Sequence, residues 1–406
     1  MRINVVATRN DFEPALLWLA GHVGGPLKQR VKNFEKHTKN NPMLAAHFRN
    51  IYPLEYALVD ACNYRRNTGR VPTGGDYDAL YNFAIPAMRI YQQLPESGQR
   101  PFEGKLQDFV NGTYGSRPFA YEIGIAAHLM QKGWDVEFSD LCGAAQFDFL
   151  ARADGNEIEV ECKTSSGDTG RKIHRQEVNR LADMLIPVTE RLADVAGCHL
   201  LRITVPDRLG KSPKELSELV ELVRSGIDKG EQIHETGAVT YWKEAVTGWP
   251  EPQDDPDGAR AFFERLLDGH NSHLFFHERR GHAVVAARIA SKKPDKVVGS
   301  LSSDAVHAAK QCSGTRPALV TMQLIDPIEP EELHTMLYTS NGLHKIAHSV
   351  FKNEARAHVD SIVFSTPQRL TTFGPNDQRM SASVLVLNND KAKFPTDAPR
   401  SVFRKP

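Results

Sequence analysis

A chain of 406 residues, 40% hydrophobic and 25% charged, carries enough apolar material for two or three globular domains. Its 50 Lys and Arg balance 50 Asp and Glu, and zero net charge leaves phosphate binding to local basic patches. Five scattered cysteines, Cys62, Cys142, Cys162, Cys198 and Cys312, are odd in number and lack Cys-x-x-Cys spacing, which supports neither a zinc ribbon nor a disulfide framework, and they read as reduced thiols.

The N-terminus has none of the charged, apolar and small-residue pattern of a secretory leader, and no run of about 18 apolar residues occurs. A cytoplasmic protein without membrane contact is therefore expected. Residues 1–120 hold fifteen Lys and Arg against ten Asp and Glu, clustered at Lys28, Arg30, Lys32, Lys36, Lys39 and at Arg65, Arg66, Arg70. That asymmetry predicts a basic lobe.

Residues 9–22, 42–62 and 77–93 have helical periodicity, with Leu80, Phe83, Ile85 and Met88 recurring on one face of the third. Gly24-Gly25-Pro26 and Pro72-Thr73-Gly74-Gly75 read as punctuation between them. The next helix, around Tyr121 to Leu129, should stop at Lys132-Gly133, and a strand follows from Trp134 to Phe138.

The most informative segment is a hairpin. Asp154-Gly155 between two alternating runs predicts a two-residue turn, because both residues tolerate positive φ. Ala153 then faces Asn156, and Asp148 falls across from Glu161 with Cβ atoms roughly 5 Å apart. A loop at Gly155-Asn156 would instead set Asp148 opposite Lys163, on the same face. Phe147, Phe149, Ile158, Val160 and Cys162 form the apolar face. Carboxylates facing each other raise one another's pKa unless a cation relieves them, so the polar face is a candidate Mg²⁺ site, with Lys163 placed to act on a water.

Asp148 followed by Glu161-Cys162-Lys163 resembles the PD-(D/E)xK superfamily of metal-dependent nucleases, which includes many restriction endonucleases and recombination nucleases. The resemblance covers about residues 116–206. It implies that Asp148, Glu161 and the carbonyl of Cys162 bind the metal, that Lys163 is catalytic, and that Glu122 on the preceding helix is a further ligand. It also implies a core of helix, three strands, helix, strand, which the Arg171 to Arg191 helix and the His199 to Val205 strand would complete. The chain departs from the pattern in two places. Gln146-Phe147 stands where the family's Pro would precede Asp148, and Arg180 stands four residues after Gln176 where an exonuclease-like branch has Tyr.

Ser165 to Lys172 fails the spacing of a nucleotide phosphate loop. Arg171, Lys172, Arg175 and Gln176, at a helix start, are candidate contacts to a nucleic-acid backbone. Ser212-Pro213-Lys214-Glu215 is a capping box opening a helix toward Gly226, and a Pro- and Asp-rich loop, residues 249–258, leads to a helix at 261–267. Strands are expected at 274–276 and 283–289, a helix at 303–311, an apolar strand at 318–325, a helix at 331–352, and strands at 361–364 and 383–387. His273 with His277 and His344 with His348 are each four apart but lack a third ligand.

The expected fold is α/β, a restriction-endonuclease-like core with a helical N-terminal region and α+β additions. Its expected parts are a helical region at 1–115, the nuclease-like core at 116–210, an insertion at 211–299, and a C-terminal part at 300–406 completing the core sheet. The expected function is Mg²⁺- or Mn²⁺-dependent hydrolysis of DNA, as an endonuclease of restriction or host-defence type, with a homodimer suited to double-strand cutting. The alternatives are an RNA-directed nuclease and a non-catalytic nucleic-acid-binding or assembly protein on the same fold.

Overall fold

The computed structural model describes residues 1–406 except 2, 40, 41, 113, 167, 246, 247, 253, 268–272, 326–340, 367–383, 398–401 and 404–406. Before the first strand come helices α1 (Phe12–Leu19), α2 (Gly25–Thr38), α3 (Pro42–Ile51), α4 (Pro53–Thr68), α5 (Asp78–Gln93), α6 (Glu96–Asn111) and α7 (Arg117–Gln131). Gly24-Gly25-Pro26 does not break the chain's helical course. A π turn, Ala20–Gly24, carries α1 into α2, and Pro26 falls in the first turn of α2, where its missing N–H costs nothing.

Strands β1 (Asp135–Phe138), β2 (Phe149–Ala153) and β3 (Asn156–Ser166) follow, then α8 (Arg175–Ala193), β4 (Gly197–Val205), α9 (Pro213–Lys229), β5 (Glu231–His234), β6 (Gly237–Glu244), α10 (Pro256–Leu266), β7 (His273–Arg279) and β8 (Ala283–Ser291). The described chain continues through α11 (Val297–Gln311), β9 (Ala318–Ile325), α12 (Gly342–Phe351), β10 (Val359–Ser365) and β11 (Val384–Asn388). The first half of the helix expected at 331–352 lies outside the described residues.

The fold is mixed α/β with two mixed sheets. One has the order β1-β2-β3-β9-β10-β11, in which β3, β9 and β10 run parallel and the outer pairings are antiparallel. The other has the order β5-β6-β4-β8-β7, with β4 and β8 parallel. The strand at 199–205, expected to close the core around the hairpin, is therefore part of the second sheet. β9 takes the position beside β3, and the helix that leads into it is α11 rather than α8. Both 199–205 and 318–325 were visible as strands from their own apolar runs, but periodicity carries no information on which distant strand becomes a neighbour.

The chain divides into two compact units, the first built from residues 1–36, 48–169 and 298–406 and the second from 37–47 and 170–297. In the first unit the N-terminal helices share one apolar core with α7 and the sheet: Leu16, Phe83, Phe102 and Phe119 belong with Ile123, Phe149, Val160 and Leu319. No core boundary falls between 115 and 116. The second unit begins at Gly170, well before 211, and Lys296 N donates to Gly170 O at 2.8 Å, so its longer segment leaves close to where it starts. Among the described residues no helix is long and apolar enough to cross a membrane.

Candidate active site

The hairpin sets the site's geometry. Asp154 and Gly155 have φ of 50° and 78°, the two positive values that a tight right-twisted turn demands, and Ala153 pairs with Asn156 through to Phe149 with Val160. Of the two registers open from the sequence, this is the one that brings Asp148 to Glu161. Asp148 stands just before β2, and its Oδ2 accepts a hydrogen bond from the Cys162 N–H at 2.6 Å, which ties it to the middle of β3.

Phe147, Phe149, Ile158, Val160 and Cys162 are buried as expected, but so is the face that carries the charges: Glu159 and Glu161 are 0% and 1% exposed. The reason is that β3 is an interior strand. β9 pairs along its other edge, while α11 and the turn after it cover the polar face, where Asp304 accepts from Ser165 Oγ at 2.8 Å and Ser313 N donates to Glu159 at 2.7 Å.

The two buried glutamates of β3 have different surroundings. Glu159 is fully engaged by the Ser313 amide and hydroxyl and by Arg316 Nη1 at 3.3 Å. Glu161 Oε1 lies 2.7 Å from Lys163 Nζ, and its Oε2 is buried with no hydrogen-bond partner. The difference matters because an unsatisfied buried carboxylate oxygen is costly unless something else completes it.

Glu122 comes from α7, whose start is fixed by a second buried carboxylate. Glu55 on α4 accepts from Ser116 N at 2.6 Å and Ser116 Oγ at 3.0 Å, at the N-cap of α7. Gly115 beside it has φ of 55°, and a Cβ there would run into the Glu55 carboxylate and the Tyr52 ring.

Two residues not singled out from the sequence belong to the site. Lys105 on α6 places its ammonium against Glu122, 2.8 Å from Asp140 Oδ2 and 3.8 Å from Asp148 Oδ1. Asp140 follows β1, in the segment anchored by Ser139 N donating to Asp148 O at 2.9 Å. Neither had a local signal, since a lone Lys in an amphipathic helix and a lone Asp after a strand read as solvated surface. Only tertiary packing brings them to the end of the hairpin.

The electrostatics are those of carboxylates crowded out of water. Burial, then the neighbouring Asp148 charge, pushes both Glu122 and Glu161 up to about 8, against the opposing pull of Lys105 and Lys163 respectively. Burial also raises Asp148, in spite of Lys105 and the Cys162 amide. Burial works to lower Lys105, but Glu122, Asp140 and Asp148 outweigh it and hold its pKa well above the ordinary lysine value. Cys162 is a buried thiol raised by desolvation, so its side chain is no nucleophile.

Hard oxygen donors, raised carboxylate pKa values and an unpartnered buried Glu161 oxygen fit a small divalent cation such as Mg²⁺ or Mn²⁺. Among the described residues, however, no group of three or more His, Cys, Asp or Glu side chains is arranged to hold a metal ion. Lys105 stands among Glu122, Asp140 and Asp148 instead.

The other candidate residues lie elsewhere. Arg171, Lys172, Arg175 and Gln176 belong to the second unit, with Arg175 and Gln176 opening α8. The Lys172 ammonium is 2.8 Å from Asp207 Oδ1, and Asp207 is shared with Lys293, so Lys172 is engaged in an ion-pair network. His273 and His277 lie on strand β7 rather than on a helix, and His273 Nε2 is 3.0 Å from the Ile173 carbonyl. Compared with known protein families and with curated proteins, the chain matches none.

Proposed function

We propose that the chain is a metal-dependent nuclease that hydrolyses phosphodiester bonds in DNA. The observation that carries this reading is the meeting of Asp148, Glu161 and Lys163 at one end of the hairpin, with Glu122 reaching Asp148 through Lys105. The element order α7, β1, β2, β3, α11, β9 supports it, being the helix, three strands, helix, strand of a restriction-endonuclease-like core, interrupted after β3 by the second unit.

Asp148, Glu161, the carbonyl of Cys162 and Glu122 would hold Mg²⁺ or Mn²⁺, which supplies charge neutralisation at the scissile phosphate and a more acidic water. The chain's own groups do the rest. Lys163, steered by Glu161, orients the attacking water, and its positive charge stabilises the phosphorane-like transition state. The Cys162 N–H fixes Asp148 through Oδ2, with Oδ1 toward the Lys105 ammonium. Arg171, Lys172, Arg175 and Gln176, within the second unit, remain the proposed contacts to a nucleic-acid backbone. A homodimer would supply two such sites for double-strand cutting, in a restriction or host-defence role.

The Lys105 ammonium among the carboxylates favours a second reading, a nucleic-acid-binding or assembly protein that keeps the fold without catalysis. Nicking of supercoiled plasmid in Mg²⁺ and in Mn²⁺ separates the two, with RNA run beside DNA. Cutting that is abolished by EDTA, by Asp148→Asn and by Lys163→Ala is expected. Nucleic-acid binding without cutting in either metal would establish the second reading, and cutting confined to RNA would redirect the first.

A further inference from the structure

Lys105 has no counterpart in the residues that the hairpin motif supplies, yet it pairs with three carboxylates at once. It reaches them from α6, its ammonium 5.6 Å from the Phe119 ring centroid, touching Glu122 and Asp140 and within 3.8 Å of Asp148. Its side chain is 25% exposed, so it lies at the mouth of the cluster rather than sealed beneath it. The Glu161 Oε2 atom on β3 is buried with no partner, an acceptor left unsatisfied.

We infer that Lys105 is a resident counter-ion of this site, its ammonium filling the place of a divalent cation beside Glu122 and Asp148, so that metal binds by displacing that ammonium toward solvent. The inference rests on the cluster being a metal site, the reading given above. An ammonium and a divalent ion cannot share one set of carboxylate oxygens, because like charges a few ångströms apart repel strongly where water is scarce. A flexible four-carbon stem makes the exchange feasible, since the head can withdraw without the backbone of α6 moving. The bare carboxylates would otherwise repel one another, and Lys105 holds them together until metal arrives. It is a positioning residue, not a catalytic one.

Calorimetric titration of the full chain with Mn²⁺, in the absence of nucleic acid, tests this with wild type, Lys105→Met, Lys105→Arg and Asp148→Asn. Lys105→Met should bind Mn²⁺ roughly tenfold more tightly than wild type, and Lys105→Arg no more tightly than wild type. Lys105→Arg keeps the charge and hence the fold, so the comparison survives if Lys105→Met is unstable before metal is added. Asp148→Asn should bind weakly in either background. Equal or weaker Mn²⁺ binding by Lys105→Met, or tighter binding by Lys105→Arg, overturns the inference. If Lys105→Met gains affinity while no variant cuts DNA or RNA, the nuclease reading falls and the role of Lys105 stands. If the wild type cuts and Lys105→Met gains nothing, the reverse holds. No Mn²⁺ binding by any variant removes both.

Discussion

Glu161 gives one carboxylate oxygen to Lys163, at 2.7 Å, and keeps the other buried and unpartnered. A buried carboxylate oxygen without a donor costs stability, and here it belongs to the same side chain that holds Lys163, as expected of a site that awaits a ligand. Lys163→Ala should lower the rate of plasmid nicking by about 10²–10³-fold, the range associated with losing one positioned charge-stabilising donor. It should also lower the melting temperature without metal, since Glu161 then has no cation, and Mg²⁺ should recover most of that loss. Single-turnover cleavage and thermal unfolding with and without Mg²⁺ measure the two effects.

The acidic cluster gives a sign to the pH dependence. Glu122 and Glu161 titrate from an ordinary value of 4.5 in the unfolded chain to about 8 in the fold, so the folded state binds their protons more tightly. Their contribution to stability is whole below about 4.5 and is lost as pH rises through about 8. The metal-free protein should therefore melt at a lower temperature at pH 9 than at pH 6, by on the order of 5 °C. Glu161→Gln should flatten the decline, and saturating Mg²⁺ should reverse it. A metal-free melting temperature that climbs over this interval would contradict the burial of these groups.

Glu159 provides the control for Glu161, two residues away on the same face. Its partners are Ser313 and Arg316, which hold the turn between α11 and β9. Arg316→Ala should destabilise the fold by roughly 1–3 kcal/mol, because it removes a charged donor from a buried carboxylate, and should leave the Mn²⁺ affinity of the folded protein unchanged. Urea unfolding and metal titration of the same variant distinguish the two quantities.

At the start of α7 the carboxylate of Glu55 replaces an ordinary cap. Glu55→Ala leaves the Ser116 N–H and hydroxyl without acceptors and should cost roughly 1–3 kcal/mol, with Glu55→Gln losing less because it retains an acceptor oxygen. Gly115→Ala should be at least as harmful as Glu55→Ala, since both its positive φ and its contact with Glu55 exclude a Cβ. Because α7 carries Glu122, both variants should also weaken Mn²⁺ binding, which titration at a temperature where they remain folded would show.

Local chemistry made the hairpin legible. Asp154-Gly155 fixed the turn, the turn fixed the register, and the register fixed the approach of Asp148 to Glu161. The Ser212 capping box was equally readable, and the hydroxyl does accept from Glu215 N. What was not legible depended on distant partners. β5 and β6 are short or irregularly alternating and gave no clear period, while β4 looked like any buried strand until its neighbours β6 and β8 were known. Lys105 and Asp140 were hidden for the same reason: charge becomes functional through what packs around it, and that packing joins α6, α7, β1 and β2 across the first unit.

The parallel pairing of β3 with β9 has a consequence for how the protein is made. During synthesis the strand bearing Glu161 and Lys163 emerges long before Ala318–Ile325, with the whole of residues 170–297 still to be translated between them. Until then one edge of β3 stays open to any passing strand, a hazard for aggregation and a source of slow folding. A ribosome must therefore finish most of the polypeptide before the hairpin can be shielded, and a shorter product would carry the charged residues on an unguarded edge.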